Sequence, residues 1–195
     1  MNRQISLAQY RTIDLMILAV LMAVVQVIIG FASSVWFPDQ LYVVSPVGII
    51  VALVMMRWGP WAAMHAVLGG ALFVWISGGN SHQLIIYGVG NLFSMLALPL
   101  LRWPGKEKLR SNVIYTLLFG VAIQLLMLAG RAAVAAILGY EADICFVFIT
   151  TDALSILFTL CGVWVIRRID GLFEDQIHYL LRIQSEQSAK GGEQL

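Results

Sequence analysis

Charge is in short supply in this sequence: 12% of its 195 residues are charged, against 60% hydrophobic. A soluble domain of this length carries about 25% charged residues. There is too little polar surface here to cover a globule in water, and lipid is the solvent that fits. A net charge of +1 argues against a nucleic-acid partner. Only two cysteines occur, Cys145 and Cys161, both in one apolar stretch. They form no metal-type spacing and read as small core residues. Catalytic signatures are missing as well. No Gly-x-x-x-x-Gly-Lys-Ser/Thr loop exists, since Gly105-Lys106 lacks the rest of the pattern, so the chain has no visible means of using ATP. There is no His-Glu-x-x-His pair, no Gly-x-Ser-x-Gly elbow and no carboxylate cluster for a metal. An enzyme is therefore not expected, nor a cofactor. No inverted repeat is visible, which argues against a large self-contained secondary transporter.

What is present is long apolar runs. A helix needs about 20 mostly apolar residues to cross the hydrocarbon core. Six runs are predicted, at residues 13–35, 42–57, 60–77, 83–101, 112–138 and 144–166. The first is longer than a signal-peptide core of about 7–15 residues and is expected to stay as a span. Pro60 suits the first turn of the third. The basic residues give the direction. Arg3 and Arg11, then Arg57, then Arg102, Lys106, Lys108 and Arg110, then Arg167, Arg168, Arg182 and Lys190 all fall on one side if six helices alternate. The opposite loops hold Asp39, His82, Glu141 and Asp143 and no lysine or arginine. That asymmetry is the positive-inside signal and puts both termini in the cytoplasm. The expected fold is an all-α six-helix transmembrane bundle over residues 1–168. A tail over 169–195 follows, in which Ile169, Leu172, Phe173, Ile177, Leu180 and Leu181 recur at helical spacing. This predicts an amphipathic helix on the inner membrane surface or against a cytoplasmic partner, fraying after Ser188.

Ionisable residues inside a span mark a function or a pair. Arg131 is the one basic residue that breaks the cytoplasmic pattern. It lies about seven residues from the outer end of span five, and Asp152 about eight from the outer end of span six; at about 1.5 Å per residue both lie roughly 10–12 Å below the outer surface. The short loop between these helices makes them antiparallel neighbours, so the two groups are within reach of each other. Asn91 in span four and Gln26 in span one lie at similar depth. Tyr87, Asn91 and Ser94 share one face of span four, as do Asp152, Ser155 and Thr159 in span six, and Gln124 precedes Arg131 by two turns. Two readings stand: an ion pair and amides that tie helices together, or a ligand pocket in the outer half in which Arg131 or Asp152 faces a charged substrate group.

The outer loops are rich in aromatics: Trp36, Phe37 and Tyr42 around the first, Trp75 at the end of span three, Tyr140 and Phe146 around the last. They read either as interfacial belt residues or as a lid over a planar ligand. Gly78-Gly79-Asn80 gives the second outer loop freedom to move. His65 and His82 each stand alone and are not read as metal ligands; His65 is expected to be hydrogen-bonded within the bundle.

Six spans, both ends inside, no ATPase and an outer-half polar cluster in about 190 residues resemble the substrate-binding S components of energy-coupling factor (ECF) transporters. Ala19-Val20-Leu21-Met22-Ala23 is similar to the Ala-x-x-x-Ala pattern on the first helix of that family. Small residues four apart also occur at Ala62/Ala66, Ala129/Ala133 and Ala132/Ala136, as general packing devices. The run Arg167-Arg168-Ile169-Asp170-Gly171-Leu172-Phe173-Glu174-Asp175-Gln176 looks like the ending of S components of unassigned substrate. The resemblance covers roughly residues 10–168 plus this ending. It implies capture of a vitamin or similar micronutrient, with a T-type membrane subunit docked on Ala19 and Ala23, two ABC ATPases as further partners, and the plasma membrane of a prokaryote as location. The substrate contacts would come from Arg131, Asp152, Asn91, Tyr87, Gln26, Ser155, Trp36 and Trp75. The Gly-Gly-Pro-Thr-Gly-Gly-type run of biotin-binding members is absent, and no particular vitamin is implied. The alternatives are a non-catalytic anchor subunit of another membrane complex, and a membrane enzyme or small independent transporter.

Overall fold

A computed structural model describes residues 6–36 and 44–192. Every regular element among them is helical. In order they are α1 (Leu7–Trp36), α2 (Val47–Trp58), a 3₁₀ turn (Gly59–Trp61), α3 (Ala62–Ile76), α4 (Ser81–Asn91), a 3₁₀ stretch (Leu92–Leu101), α5 (Lys106–Ser111), α6 (Val113–Ile137), α7 (Ala142–Thr150), α8 (Ala153–Ile166) and α9 (Gln176–Gly192). Five helical runs are long and apolar enough to cross a membrane: Leu7–Trp36, Val47–Ile76, Ser81–Leu101, Val113–Ile137 and Ala142–Ile166. The chain is a multi-pass helical membrane protein.

The run Val47–Ile76 is not straight. Gly59 takes φ 61° and ψ −119°, a conformation that side chains with a Cβ rarely adopt, and the chain reverses there. A Cβ on Gly69 would lie 2.6 Å from the Val47 side chain, a contact that only an antiparallel hairpin of α2 and α3 allows. α2 is twelve residues long, about 18 Å by helical rise, and all twelve are buried. It packs against α1, α3, α6 and α8 and forms the centre of the bundle. Lipid tails are as apolar as leucine, so this burial is stabilised by close packing rather than by release of water. Accordingly Gly48 sits where a Cβ would collide with Gln124 of α6 and Thr159 of α8, and Gly162 of α8 sits against Ile49. α1 buries only the stripe Leu15, Leu18, Met22 and Gln26, and Ile13, Met16, Ile17, Val20, Val24, Ile28 and Phe31 face outward. That wide apolar face suits lipid.

The basic residues gather at one end of the bundle through direct contacts. Arg57 lies in the last turn of α2 rather than in a loop. It is 6% exposed and grips Asp14 of α1 in a two-pronged pair, Nη2 to Oδ1 at 2.7 Å and Nε to Oδ2 at 2.9 Å. Trp58 Nε1 donates to the same carboxylate at 2.6 Å. Arg57 Nη1 donates to the carbonyls of Gly171 and Leu172, 2.9 Å each. Arg167 donates to the carbonyls of Arg110 and Ser111, 2.8 Å each. Arg110 pairs with Glu174 at 2.7 Å, and Lys106 with Asp175.

These contacts correct the expected tail. Residues 169–175 are not helical; they form a strap across this end, and the helix begins only at Gln176. The competing interaction is burial. Phe173, 2% exposed, packs edge-on against Phe119 of α6 at 6.5 Å between ring centres. Gln176 is fully buried, accepts from Tyr10 Oη at 3.1 Å and donates to Gly171 O at 2.9 Å. The strap leaves Ile169 exposed, and α9 exposes Ile177 and Leu181. α9 continues to Gly192, past the expected fraying point. α5 likewise forms where a plain loop was expected.

Two predictions follow from this end of the molecule. Arg57→Leu leaves the Asp14 carboxylate without its cation and is expected to destabilise the protein by about 3–5 kcal/mol, the cost of breaking a buried pair from one side. Thermal unfolding in detergent is the check, together with earlier proteolytic cleavage in 169–175. Asp175 is pulled two ways: partial burial raises its pKa, but the Lys106 ammonium and the backbone N–H groups of His178 and Ile177 prevail, and the net shift is downward. A depressed carboxylate pKa contributes stability that is present above the ordinary pKa and lost as pH falls through the depressed one. Docking of the strap should be constant from neutral pH down to about pH 4, the ordinary carboxylate range, and weaken only below it, as read by hydrogen exchange of residues 170–180.

Candidate functional site

Two helices break at the same place in space. α4 ends at Asn91 and continues as a ten-residue 3₁₀ stretch, where 3₁₀ runs beyond three or four residues are uncommon. The last span is interrupted at Thr151-Asp152, dividing it into α7 and α8. Neither break was expected in the uninterrupted runs 83–101 and 144–166. Both residues at the breaks, Asn91 and Asp152, bond the same guanidinium. Arg131 Nε donates to Asn91 Oδ1 at 2.8 Å, and Nη1 forms an ion pair with Asp152. The pair is 3% exposed on each side.

The cluster extends on both sides of that pair. Asp152 also accepts from Ser155 Oγ and, at 3.4 Å, from Gln124 Nε2. Gln124 in turn accepts from Thr159 Oγ1 at 3.4 Å. Ser155 Oγ receives the backbone N–H of Ser45 at 2.9 Å, and Ser45 Oγ donates to Gln26 Oε1 at 3.3 Å. Asn91 Nδ2 donates to the Ala66 carbonyl at 3.0 Å, which ties the site to α3. The Arg131 guanidinium carbon lies 4.5 Å from the centre of the Tyr87 ring. Tyr87 is flanked by Phe73 at 4.7 Å and Phe148 at 5.9 Å. The cation is thus paired on one edge and stacked on an aromatic face, an arrangement suited to a desolvated arginine.

Close helix approach makes the geometry attainable. A Cβ on Gly90 would lie 2.7 Å from Arg131 backbone atoms, and one on Gly130 would lie 2.2 Å from the Gly90 carbonyl. The two glycines let α4 and α6 touch backbone to backbone, which brings Asn91 within bonding distance of Arg131.

Six of the eight predicted substrate contacts therefore fall in one network: Arg131, Asp152, Asn91, Tyr87, Ser155 and Gln26. Trp36 and Trp75 are not part of it. They are 73% and 77% exposed, because each sits at a helix end with its ring turned away from the bundle. Phe37 and Tyr42 lie outside the described residues, as does Asp39. Ala19 and Ala23 lie half-buried beside the buried stripe of α1. His65 Nε2 meets the Leu15 carbonyl at 3.0 Å, and no group of three or more metal-ligating side chains occurs among the described residues. Sequence reasoning missed Ser45, Phe73, Phe148 and the two glycines. Ser45 precedes Pro46 at a helix start, where a polar residue reads as ordinary capping. Gly90 and Gly130 carried a signal, as small residues flanking the polar positions of neighbouring spans.

Compared with known proteins, the chain matches no family model, no curated protein and no solved structure.

Gly90→Ala is expected to push α4 off α6 and to destabilise the protein by about 1–3 kcal/mol, the usual cost of overpacking. Thermal unfolding measures the loss. Gly88→Ala, whose nearest foreign atom would be 4.0 Å away, is the control and should be near neutral.

Proposed function

We infer that the chain is a membrane-embedded capture subunit for a small organic micronutrient, working as S components do with a T-type membrane subunit and two ABC ATPases. The observation that carries this reading is the convergence of two interrupted helices on one buried arginine. A pin that merely held helices together would not need broken helices. Irregular backbone at membrane depth is tolerated where it is buried in protein or lines a cavity, and in transport proteins it marks binding sites. On this reading α2 and α3 are spans two and three of six alternating legs, which the reversal at Gly59 supports. The gathered basic end is the cytoplasmic one, so Arg131 lies in the outer half. The network as it stands is closed on itself, which suits a resting state that a ligand must open.

Purification of the tagged chain from its native membrane, with mass spectrometry of co-purifying proteins and metabolites, is the test. Two ATPases, a T-type membrane protein and a retained metabolite are expected. Arg131→Lys keeps the charge but loses the Asn91 bond and the planar stack on Tyr87. It should weaken metabolite retention about 10–100-fold while the partners still assemble. Undiminished retention would remove Arg131 from the site.

The second reading, an anchor subunit of another complex, is favoured by α9, which is tied down at Gln176 and presents Ile177 and Leu181 outward. Deletion from Ile177 onward separates the two, since it spares the buried Phe173 and Gln176. It abolishes assembly for an anchor and leaves ligand retention intact for a capture subunit.

A further inference from the structure

Asp152 and Arg131 are not equivalent halves of their pair. If Asp152 lets go, it keeps Ser155 Oγ and Gln124 Nε2 as donors. If Arg131 lets go, it keeps a neutral amide oxygen and an aromatic ring, and neither cancels its charge. A cationic ligand that took Asp152 would strand a buried guanidinium; an anionic ligand that took Arg131 would leave Asp152 hydrogen-bonded. Either exchange strands one charge, but the displaced carboxylate keeps two hydrogen-bond donors where a displaced guanidinium would keep one neutral acceptor, so the asymmetry favours an anion. The Phe73–Tyr87–Phe148 stack beside the guanidinium selects a flat ring attached to it.

Access to Arg131 has one weak wall. α7 has no buried residue among its nine, whereas α6 behind it is buried along a full face. α7 is bounded by Gly139, at φ 86°, and by the break at Asp152. It is held over the site by Phe148 on Tyr87, by the packing of Cys145 and Phe148 against Ile86, Val134 and Ala135, and by the neighbouring Asp152 on Arg131.

We propose that α7 is a lid latched by the Arg131–Asp152 pair, and that an aromatic or heteroaromatic carboxylate takes the place of Asp152 on Arg131 and seats its ring against Tyr87. This rests on the reading of the cluster as the capture site. Asp152 serves as an internal surrogate for the ligand carboxylate, so Arg131 is paired before and after exchange, and the displaced Asp152 carboxylate keeps Ser155 Oγ and Gln124 Nε2 as donors.

The test is hydrogen exchange of the full chain in lipid nanodiscs, with benzoate as probe and benzamide and benzylammonium as shape-matched controls. In the wild type, amides of 143–150 should exchange about ten-fold or more faster than those of 155–163, the mark of local opening. Benzoate alone should alter the exchange of 143–150. In Asp152→Asn the lid should open further and benzoate should slow it again, at a concentration about ten-fold or more below that needed for wild type, because the charged internal competitor is gone. Arg131→Gln should abolish the response. Three results overturn the proposal: α7 exchanging as slowly as α8, benzylammonium or benzamide acting as well as benzoate, and a benzoate effect absent from wild type or undiminished in Arg131→Gln. If Asp152→Asn does not fold, the wild-type comparisons decide. No partner or native metabolite takes part, so failure here leaves the co-purification result standing, and failure there leaves this one.

Discussion

A guanidinium that cannot reach water sets the terms for one half of this bundle. Arg131 is 2% exposed in a medium that offers neither hydration nor screening, and a lone buried charge there costs several kcal/mol. The protein must bring compensation to it from elsewhere in the chain. Asn91 comes from α4, Asp152 from the junction of α7 and α8, and the Tyr87 ring from α4. Each contact constrains a backbone. α4 can come near enough only because Gly90 and Gly130 lack side chains. The last span presents Asp152 where its helix is interrupted. The irregularities of the fold in this half are thus consequences of one charge.

The opposite end solves the same problem by a different route. Arg57 also is nearly inaccessible, but its carboxylate partner sits about two turns inside α1 and its remaining donors are used by main-chain carbonyls of the strap. Carbonyls belong to a segment whose own side chains are anchored, Phe173 by burial and Glu174 by Arg110 and Arg182. The charge is therefore compensated by covalently neighbouring groups that hold one another. In the Arg131 cluster the partners are single side chains from α4 and from the junction of α7 and α8. The Arg57 end closes as a unit, while the Arg131 end depends on a few side-chain bonds.

The all-helical, multi-pass character was legible in the sequence, because long apolar runs are a one-dimensional signal. So was the meeting of Arg131 with Asp152, which needs only two depths and a short connecting loop. The breaks in α4 and the last span were not legible. Both runs are predominantly apolar and carry no proline at the break; the interruption coincides with tertiary bonding, which hydropathy does not register. The strap was misread for a related reason. Its apolar residues have helical spacing, yet Phe173 gains more from the core beside Phe119 than from a helix face, and Arg57 needs the strap carbonyls that a helix would have consumed. Gly59 stood in plain view beside Pro60, but that a twelve-residue helix could be wholly enclosed follows only from how many neighbours surround it.

Enclosure also decides which part of such a bundle can move. α2 touches four other helices and has no exposed face, so any shift of it disturbs the whole core. α1 is largely lipid-facing, but it is held along its length, by Asp14 to Arg57, by the Leu15 carbonyl to His65 and by Gln26 to Ser45. α7 has neither protection. It contributes no buried residue to the core and no side chain of its own to an ion pair among the described contacts. Its position is set by Cys145 and Phe148, which pack against the cluster of Ile86, Val134 and Ala135, and by Asp152, two residues beyond its end. On the lid proposal, opening at α7 would uncover Arg131 without unpacking any buried residue of α7, whereas withdrawing α4, which also covers Arg131 through Asn91 and Tyr87, would break the close contact of Gly90 with α6. The helix with no buried residue is thus the one that the lid proposal asks to move.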